Sequence, residues 1–259
     1  MNCTKGAETI ADGRGGPFGG NLASPAGTDG PTAADRALTV RSQGPARNRT
    51  EDDLYGILIY PGVEPIDIGA AYGVLSMAKR VAPDLAYVGI AREAGEVVCA
   101  NGLRVWADHG FADAPAITDL IVTGGPGWTA AASDPATLAY LKKNRARITS
   151  ICTGAMILDA AGLLDGRQAT TKYQVFDGEK PPAELLTGAA GVDPAVLVDN
   201  DGIVTGGGVT LGIDTMFYCL ARSHGAEVAR ETARVMEYDR ALAANRQALG
   251  YRLPDAAMT

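Results

Sequence analysis

Short apolar runs alternate with apolar positions at helical spacing along most of the chain. Leu54–Tyr60 is a continuous apolar run that ends at Pro61-Gly62, which is typical of a buried parallel strand followed by a turn. Apolar residues then recur at helical spacing over residues 67–80, and this pattern predicts a helix directly after the strand. Further buried strands are predicted at Leu85–Ile90, Asp119–Thr123 and Arg147–Ile151.

Turn and cap signals divide the rest of the chain into further elements. Asn101-Gly102 and Asn200-Asp201-Gly202 each separate two apolar runs, which predicts two hairpins. Asp134-Pro135 is typical of a helix start, with Asp as the N-cap and Pro at the first helical position. Helices are further predicted at residues 153–161, 210–222 and 226–238. This alternation predicts a mostly parallel sheet with helices on both faces.

The first residues differ in composition from the rest. Residues 1–53 are rich in Gly, Pro, Ala, Ser, Thr and Asp and contain only short apolar pieces. Such a segment buries too little surface to offset its ordering entropy, so we predict a disordered N-terminal extension, with a regulatory tail as the alternative. One domain is then expected over residues 54–245, followed by a C-terminal tail over residues 246–259.

Composition excludes several classes of function. The net charge is −7 and Lys and Arg are not clustered, which argues against nucleic-acid binding. No apolar run approaches the roughly 20 residues that span a bilayer, and no secretory signal is evident, so a cytoplasmic protein is expected. The four cysteines lack paired or metal-like spacing. Free thiols are therefore predicted, with no metal and no cofactor.

Cys152 is the strongest candidate for chemistry. It falls where a predicted strand runs directly into a predicted helix, with Gly154 and Ala155 behind it. This position places the thiol at the carboxyl edge of the sheet, where open α/β folds bind ligands. A helix N-terminus favours the thiolate, so we expect an activated nucleophile on a sharp turn. A small buried cysteine in the core is the alternative interpretation.

Two other features are expected at the same edge. Gly124-Gly125-Pro126-Gly127 follows a predicted strand, so the amides of Gly124, Gly125 and Gly127 are expected to face the thiol and bind the substrate or an oxyanion. Asp67 follows the first strand and its turn. It is expected either to cap the helix or to reach the thiol and donate a proton there.

Several segments resemble the ThiJ/PfpI superfamily, and the isonitrile hydratases within it in particular. The segments are Tyr60–Asp67, Asp119–Gly127, Ile151–Ala155, Ala160–Gly166, Ala169–Thr171, Thr205–Asp214 and Glu237–Asp239. The resemblance implies a flavodoxin-like three-layer sandwich of the class I glutamine-amidotransferase type. It also implies Asp67, Cys152 and Thr153 as catalytic residues, a small-molecule substrate, and a homodimer.

The implied reaction adds water to an isonitrile to give an N-substituted formamide. Asp67 would donate a proton, and Cys152 would either attack the isonitrile carbon or polarise the site while water attacks directly. The chain departs from the resemblance at Lys172-Tyr173, where a His and an aromatic residue are usual. It also lacks the glutamate that is usual in the first helix, reading Gly69-Ala70-Ala71-Tyr72-Gly73 there.

Two alternative functions remain open. The same domain forms the sensor part of AraC-like regulators, so a ligand or redox sensor without catalysis is the main alternative. The residues after Tyr238 are too few for the helix-turn-helix module of those regulators. A deglycase-like or glyoxalase-like activity is the other alternative, but neither His109 nor His224 stands where its histidine would. Both histidines are expected at the solvated surface.

Overall fold

The computed structural model describes residues 53–254. The predicted N-terminal extension, including Cys3, lies outside the described residues except for its last residue. Within the described range, no helix combines the length and the apolar character that crossing a bilayer requires.

Twelve strands are found in residues 53–254, eight of them in one sheet. They are β1 Leu54–Leu58, β2 Ala86–Ala91, β3 Gly95–Val98, β4 Arg104–Ala107, β5 His109–Gly110, β6 Asp119–Val122, β7 Arg147–Ser150, β8 Gln168–Ala169, β9 Gly191–Val192, β10 Leu197–Asp199, β11 Ile203–Gly206 and β12 Tyr251–Arg252. The large sheet has the order β12-β10-β11-β7-β6-β1-β2-β5. Its strands from β11 to β5 are parallel, and only the β10–β11 pair is antiparallel.

Seven α-helices surround this sheet in the described range. They are α1 Pro65–Ala78, α2 Trp128–Ser133, α3 Pro135–Lys143, α4 Gly154–Ala160, α5 Leu211–His224, α6 Ala226–Val235 and α7 Asp239–Leu249, with short 3-10 turns at Ala100–Gly102 and Pro182–Glu184. Helices α1, α5 and α6 pack together, and α2, α3 and α4 form a second group. The predicted three-layer α/β sandwich, with a mostly parallel sheet between helices, is confirmed.

The local signals predicted most elements correctly. The strands β3 and β4 pair antiparallel across Asn101-Gly102, and β10 and β11 pair across the second predicted turn. Asp134 caps α3, because its carboxylate accepts the backbone N–H groups of Ala136 and Thr137. Every residue of β6 is buried, as the apolar run predicts for a central parallel strand.

Several parts of the fold were not predicted, among them the short strands β5, β8 and β9. Helix α2 begins directly after Gly127, in residues for which no element was predicted. Helix α7 continues to Leu249, and β12 pairs in parallel with β10. The segment 246–259, predicted as a tail, therefore contributes residues to the last helix and to the edge of the sheet.

Candidate active site

Cys152 lies on a sharp turn between β7 and α4. Its backbone has a φ of +54°, a left-handed conformation that is strained for a residue other than glycine. Helix α4 approaches the end of β6 so closely that a Cβ at position 154 would lie 2.1 Å from the carbonyl oxygen of Val122. Glycine at 154 therefore makes the turn possible. The predicted strand-to-helix turn with cysteine at its joint is confirmed.

Asp67 reaches the thiol rather than capping a helix. It lies in the first turn of α1, is fully buried, and accepts the backbone N–H of Gly124 on Oδ2 at 2.9 Å. The Cys152 thiol lies beside this carboxyl group, and the interaction between them lowers the pKa of Asp67. The second oxygen, Oδ1, has no hydrogen-bond partner among residues 53–254. Burying a carboxyl oxygen without a hydrogen-bond partner costs free energy. A bound ligand, or a proton on that oxygen, would reduce this cost.

Thr153 links the cysteine turn to the glycine-rich segment. Its Oγ1 accepts the backbone N–H of Gly125 at 2.8 Å and lies 3.3 Å from the carbonyl oxygen of the same residue. Its own backbone N–H forms a hydrogen bond to the Cys152 thiol that lowers the pKa of that thiol. The side chain of Thr153 thus positions the loop, while its amide contacts the thiol.

The prediction that the glycine amides face the thiol is wrong. The N–H groups of Gly124 and Gly125 are bound to Asp67 and Thr153, and that of Gly127 donates to the carbonyl of Gly62 at 3.0 Å. A Cβ at position 125 would lie 2.2 Å from the backbone nitrogen of Glu64. These glycines therefore allow the loop after β6 to lie against the loop before α1, and this contact brings Asp67 to the cysteine.

The second amide at the thiol belongs to Val209, which the sequence did not single out. A backbone hydrogen bond from Val209 lowers the pKa of Cys152, as that from Thr153 does. Val209 has a φ of +47°, which is rare for a β-branched residue and costs conformational energy. Its position after the run Gly206-Gly207-Gly208 was the only available signal. Two amides at one sulfur can hold negative charge as it develops there.

Burial sets the protonation of the resting site. It raises the pKa of the Cys152 thiol to about 12, and the negative charge of Asp67 adds to the increase. Burial also raises the pKa of Asp67 to about 7, with a further increase from the charge of Glu64. The expectation of a resting thiolate is therefore wrong, because loss of solvation outweighs the helix N-terminus and the two amides. The coupled pair keeps a proton at neutral pH.

Tight contacts around Gly124 make it a test of the site's packing. A Cβ there would lie 2.6 Å from the Thr153 nitrogen and 2.7 Å from Asp67 Oδ2. We expect Gly124→Ala to lower the free energy of unfolding by about 1–3 kcal/mol in urea titrations. Gly69→Ala is the control, since apart from the surrounding backbone of α1 no atom of residues 53–254 lies within 4 Å of its Cβ position, and it should stabilise α1 by about 0.5–1 kcal/mol. Equal stability of the two variants would contradict this packing.

The segment after β8 runs along the cysteine turn. Thr171 Oγ1 donates to the carbonyl oxygen of Cys152 at 2.7 Å. The next residue, Lys172, is half-buried, and its charge lowers the pKa of both Cys152 and Asp67. Tyr173 is influenced instead by Asp193, whose charge adds to the effect of burial in raising the pKa of that tyrosine. Lys172 is thus the cation of this site.

The remaining histidines and cysteines do not join the site. His109 is partly exposed and lies 3.6 Å from Asp113. His224 is partly exposed as well, and it stacks on Tyr55, whose hydroxyl lies 3.2 Å from Nδ1. Cys99 and Cys219 are buried. Across residues 53–254, no group of three or more His, Cys, Asp or Glu side chains is placed to hold a metal.

Comparison with known proteins relates the chain to an enzyme and to regulators. The isonitrile hydratase of Pseudomonas putida is 31% identical over 188 residues, which cover 71% of this chain and 77% of that protein. The HTH-type transcriptional regulator GbdR of Pseudomonas aeruginosa is 25% identical over 208 residues, which cover 78% of this chain and 55% of the regulator. The domain is thus similar both to an enzyme and to part of a regulator.

The fold is also found among solved structures. The crystal structure of a ThiJ/PfpI family protein from Pseudomonas syringae matches with a TM-score of 0.62 at 31% identity, covering 77% of this chain and 82% of that one. The model of the DJ-1/PfpI family matches residues 56–222, a range that contains Asp67, the glycine-rich loop and Cys152. With more than half of its residues matched and its cysteine on the sharp turn after β7, the chain belongs to the DJ-1/PfpI family.

Proposed function

We propose that this protein hydrates an isonitrile to an N-substituted formamide. The observation that carries the proposal is the buried Asp67 carboxyl group, which interacts with the Cys152 thiol and keeps one oxygen without a hydrogen-bond partner among residues 53–254. An isonitrile must gain a proton and a nucleophile at the same terminal carbon. The thiol–carboxyl pair supplies both from adjacent atoms. The similarity to the Pseudomonas putida isonitrile hydratase supports the same reaction class.

The first step adds the thiol across the terminal carbon. Asp67 accepts the proton of the Cys152 thiol and passes it to the isonitrile carbon, while the sulfur forms a bond to that carbon. The product is a thioimidate, R–N=CH–S, and no atom is gained or lost. The amides of Val209 and Thr153 stabilise the thiolate that exists during the transfer.

The second step uses water to release the product. Water adds to the thioimidate carbon, and the C–S bond breaks. One proton of the water goes to the nitrogen and the other returns to the sulfur, giving R–NH–CHO and free Cys152. In this proposal Asp67 accepts the proton of the attacking water, and its pKa of about 7 suits transfer in both directions at neutral pH. Overall, one water is added to one isonitrile.

Formation of formamides tests this function. The wild-type protein is incubated with a panel of isonitriles in heavy-oxygen water, and the products are analysed by mass spectrometry. We expect N-substituted formamides that carry the heavy oxygen in the carbonyl group. Absence of any formamide across the panel would overturn the proposal.

A ligand sensor without catalysis is the second candidate, and the regulator similarity favours it. A redox sensor of this fold is less favoured, because redox-sensing cysteines have low pKa values and are accessible. Here burial raises the pKa of Cys152 to about 12, and only 3% of the residue is exposed. Binding of an isonitrile without turnover would favour the sensor.

We also propose a homodimer formed through the β3–β4 hairpin. Trp106 is 71% exposed, and Val98 and Leu103 are exposed near it. Trp106 pairs with Glu96 in the neighbouring strand, two positions from Val98 on the same face. Exposed apolar patches of this kind mark contact surfaces. We expect light scattering to give twice 26.7 kDa for the wild type and 26.7 kDa for Trp106→Lys.

Phe176→Lys is the control for the dimer, because Phe176 is 84% exposed but lies in the loop after β8. It should remain dimeric. A wild-type monomer, or a dimer that persists in Trp106→Lys, would contradict this contact surface.

A further inference from the structure

Lys172 is a half-buried residue that is held next to the candidate active site. The preceding residue, Thr171, is bound to the carbonyl of Cys152, and the carbonyl of Lys172 accepts the N–H of Ala183 at 3.3 Å. A Cβ at position 208 would lie 3.3 Å from the Cα and Cγ of Lys172, so the lysine stem lies over Gly208. The run that holds Val209 against the thiol thus also supports the lysine.

The ammonium group of Lys172 has no counter-ion of its own. Within residues 53–254 its side chain forms neither a hydrogen bond nor an ion pair. Its charge acts on the reactive pair, since it lowers the pKa of Asp67 and of Cys152. The other charged group that acts on Asp67 is Glu64. An ammonium group without a partner, on a residue that is half-buried, favours binding of an anion beside it.

We propose that Lys172 binds a carboxylate of the substrate, so that the substrates are isonitriles that carry a carboxylate near the reacting group. This inference rests on the proposed hydration. Asp67 and Glu64 alone would repel an anionic substrate, and an unpaired cation beside them offsets that repulsion. If Lys172 served only to activate the thiol, its loss would affect neutral and anionic isonitriles equally.

Isocyanoacetate and its methyl ester form a matched pair of probes, because they differ in charge but share the atoms around the isonitrile. We expect the wild type to prefer isocyanoacetate by about tenfold or more in kcat/KM, mainly through KM. In Lys172→Met the ratio should fall close to one, and Lys172→Arg should restore most of it. Lys180→Met, an exposed lysine in the same loop, should keep the wild-type ratio.

Binding separates this inference from the proposed reaction. Cys152→Ala protein, with and without Lys172→Met, is titrated with both probes in a calorimeter. Tighter binding of isocyanoacetate that depends on Lys172 supports the inference even if no formamide forms, in which case the hydration alone is overturned. Equal binding of acid and ester, or a preference that survives in Lys172→Met, overturns the carboxylate site while leaving the hydration proposal in place.

Discussion

Replacing Cys152 with Ala is expected to lower kcat/KM for isonitrile hydration by about a thousandfold or more. The thiol supplies both the nucleophile and the proton of the first step, and alanine supplies neither. The measurement is formamide production under saturating and limiting substrate. Rapid acid quenching of the wild type, followed by intact-protein mass spectrometry, should also reveal the thioimidate adduct on the chain.

Cys219→Ala is the matched control for this change. Cys219 is also buried, and burial raises its pKa to about 12 as well, but its sulfur lies 3.1 Å from Thr149 Oγ1 and next to the charge of Asp119. The two thiols thus have similar acidity in different places, and Cys219→Ala should keep hydration near the wild-type rate. Substantial activity in Cys152→Ala would show that water attacks the isonitrile directly.

Replacing Asp67 with Asn is expected to lower kcat/KM by about 10²–10⁴-fold, because the amide neither accepts the thiol proton nor delivers it. The hydrogen bond from Gly124 can persist, since Asn keeps an oxygen at that position. The wild type should also show a pH profile in which kcat/KM rises with pH and levels off above about 7. The thiolate is the nucleophile, and Asp67 must be ionised to receive the thiol proton. A profile that falls through pH 7 would contradict this assignment.

The same substitution should change stability with pH in a defined direction. The pKa of Asp67 in the folded protein, about 7, lies above its ordinary value of 3.8, so the folded state holds the proton more tightly. Ionisation of Asp67 therefore destabilises the fold, with no cost below about pH 4 and the full cost above about pH 7. The free energy of unfolding falls by about 1.4 kcal/mol for each unit by which the pKa in the folded protein exceeds the ordinary value. In urea titrations, Asp67→Asn should gain stability relative to the wild type as pH rises through this window.

Asp214→Asn controls for burial of a carboxyl group away from the cysteine. Burial raises the pKa of Asp214 to about 6. Its Oδ2 accepts hydrogen bonds from Tyr238 and Asn245, while Oδ1 has no partner within the described range. Asp214→Asn should show a similar gain in relative stability between about pH 4 and 6 but should hydrate isonitriles normally. A stability difference for Asp67→Asn that does not vary with pH would contradict the raised pKa.

Local patterns were sufficient to predict the sharp turn at Cys152. Apolar runs mark buried strands because a parallel strand is covered on both faces, and the run before residue 152 leaves no room for a loop before the next helix. The Asp134 cap and the two hairpin turns were also predicted from the sequence, since each depends on neighbouring residues only. Helix α7 was missed because Ala and charged residues form its pattern, with only Leu242 fully buried.

The role of the glycine-rich loop could not be read from its residues. Glycines permit both anion binding and close packing of two loops, and the choice depends on what lies against them. Here two residues far away in sequence lie against the loop. The backbone of Glu64 occupies the space beside Gly125, and Asp67 accepts the amide of Gly124. Val209 illustrates the converse, since an ordinary apolar residue supplies an amide to the thiol through its backbone.

By itself, the sequence determined the α/β architecture, the cysteine at the strand-to-helix joint and an aspartate at the same edge, because periodicity and chain direction decide which strand ends meet. Only the tertiary structure decided that the thiol rests protonated, that the pKa of Asp67 is raised to about 7, and that the charge of Lys172 acts on both. Protonation depends on solvent exclusion and on charges contributed by distant segments, and these are properties of the packed chain rather than of any local stretch.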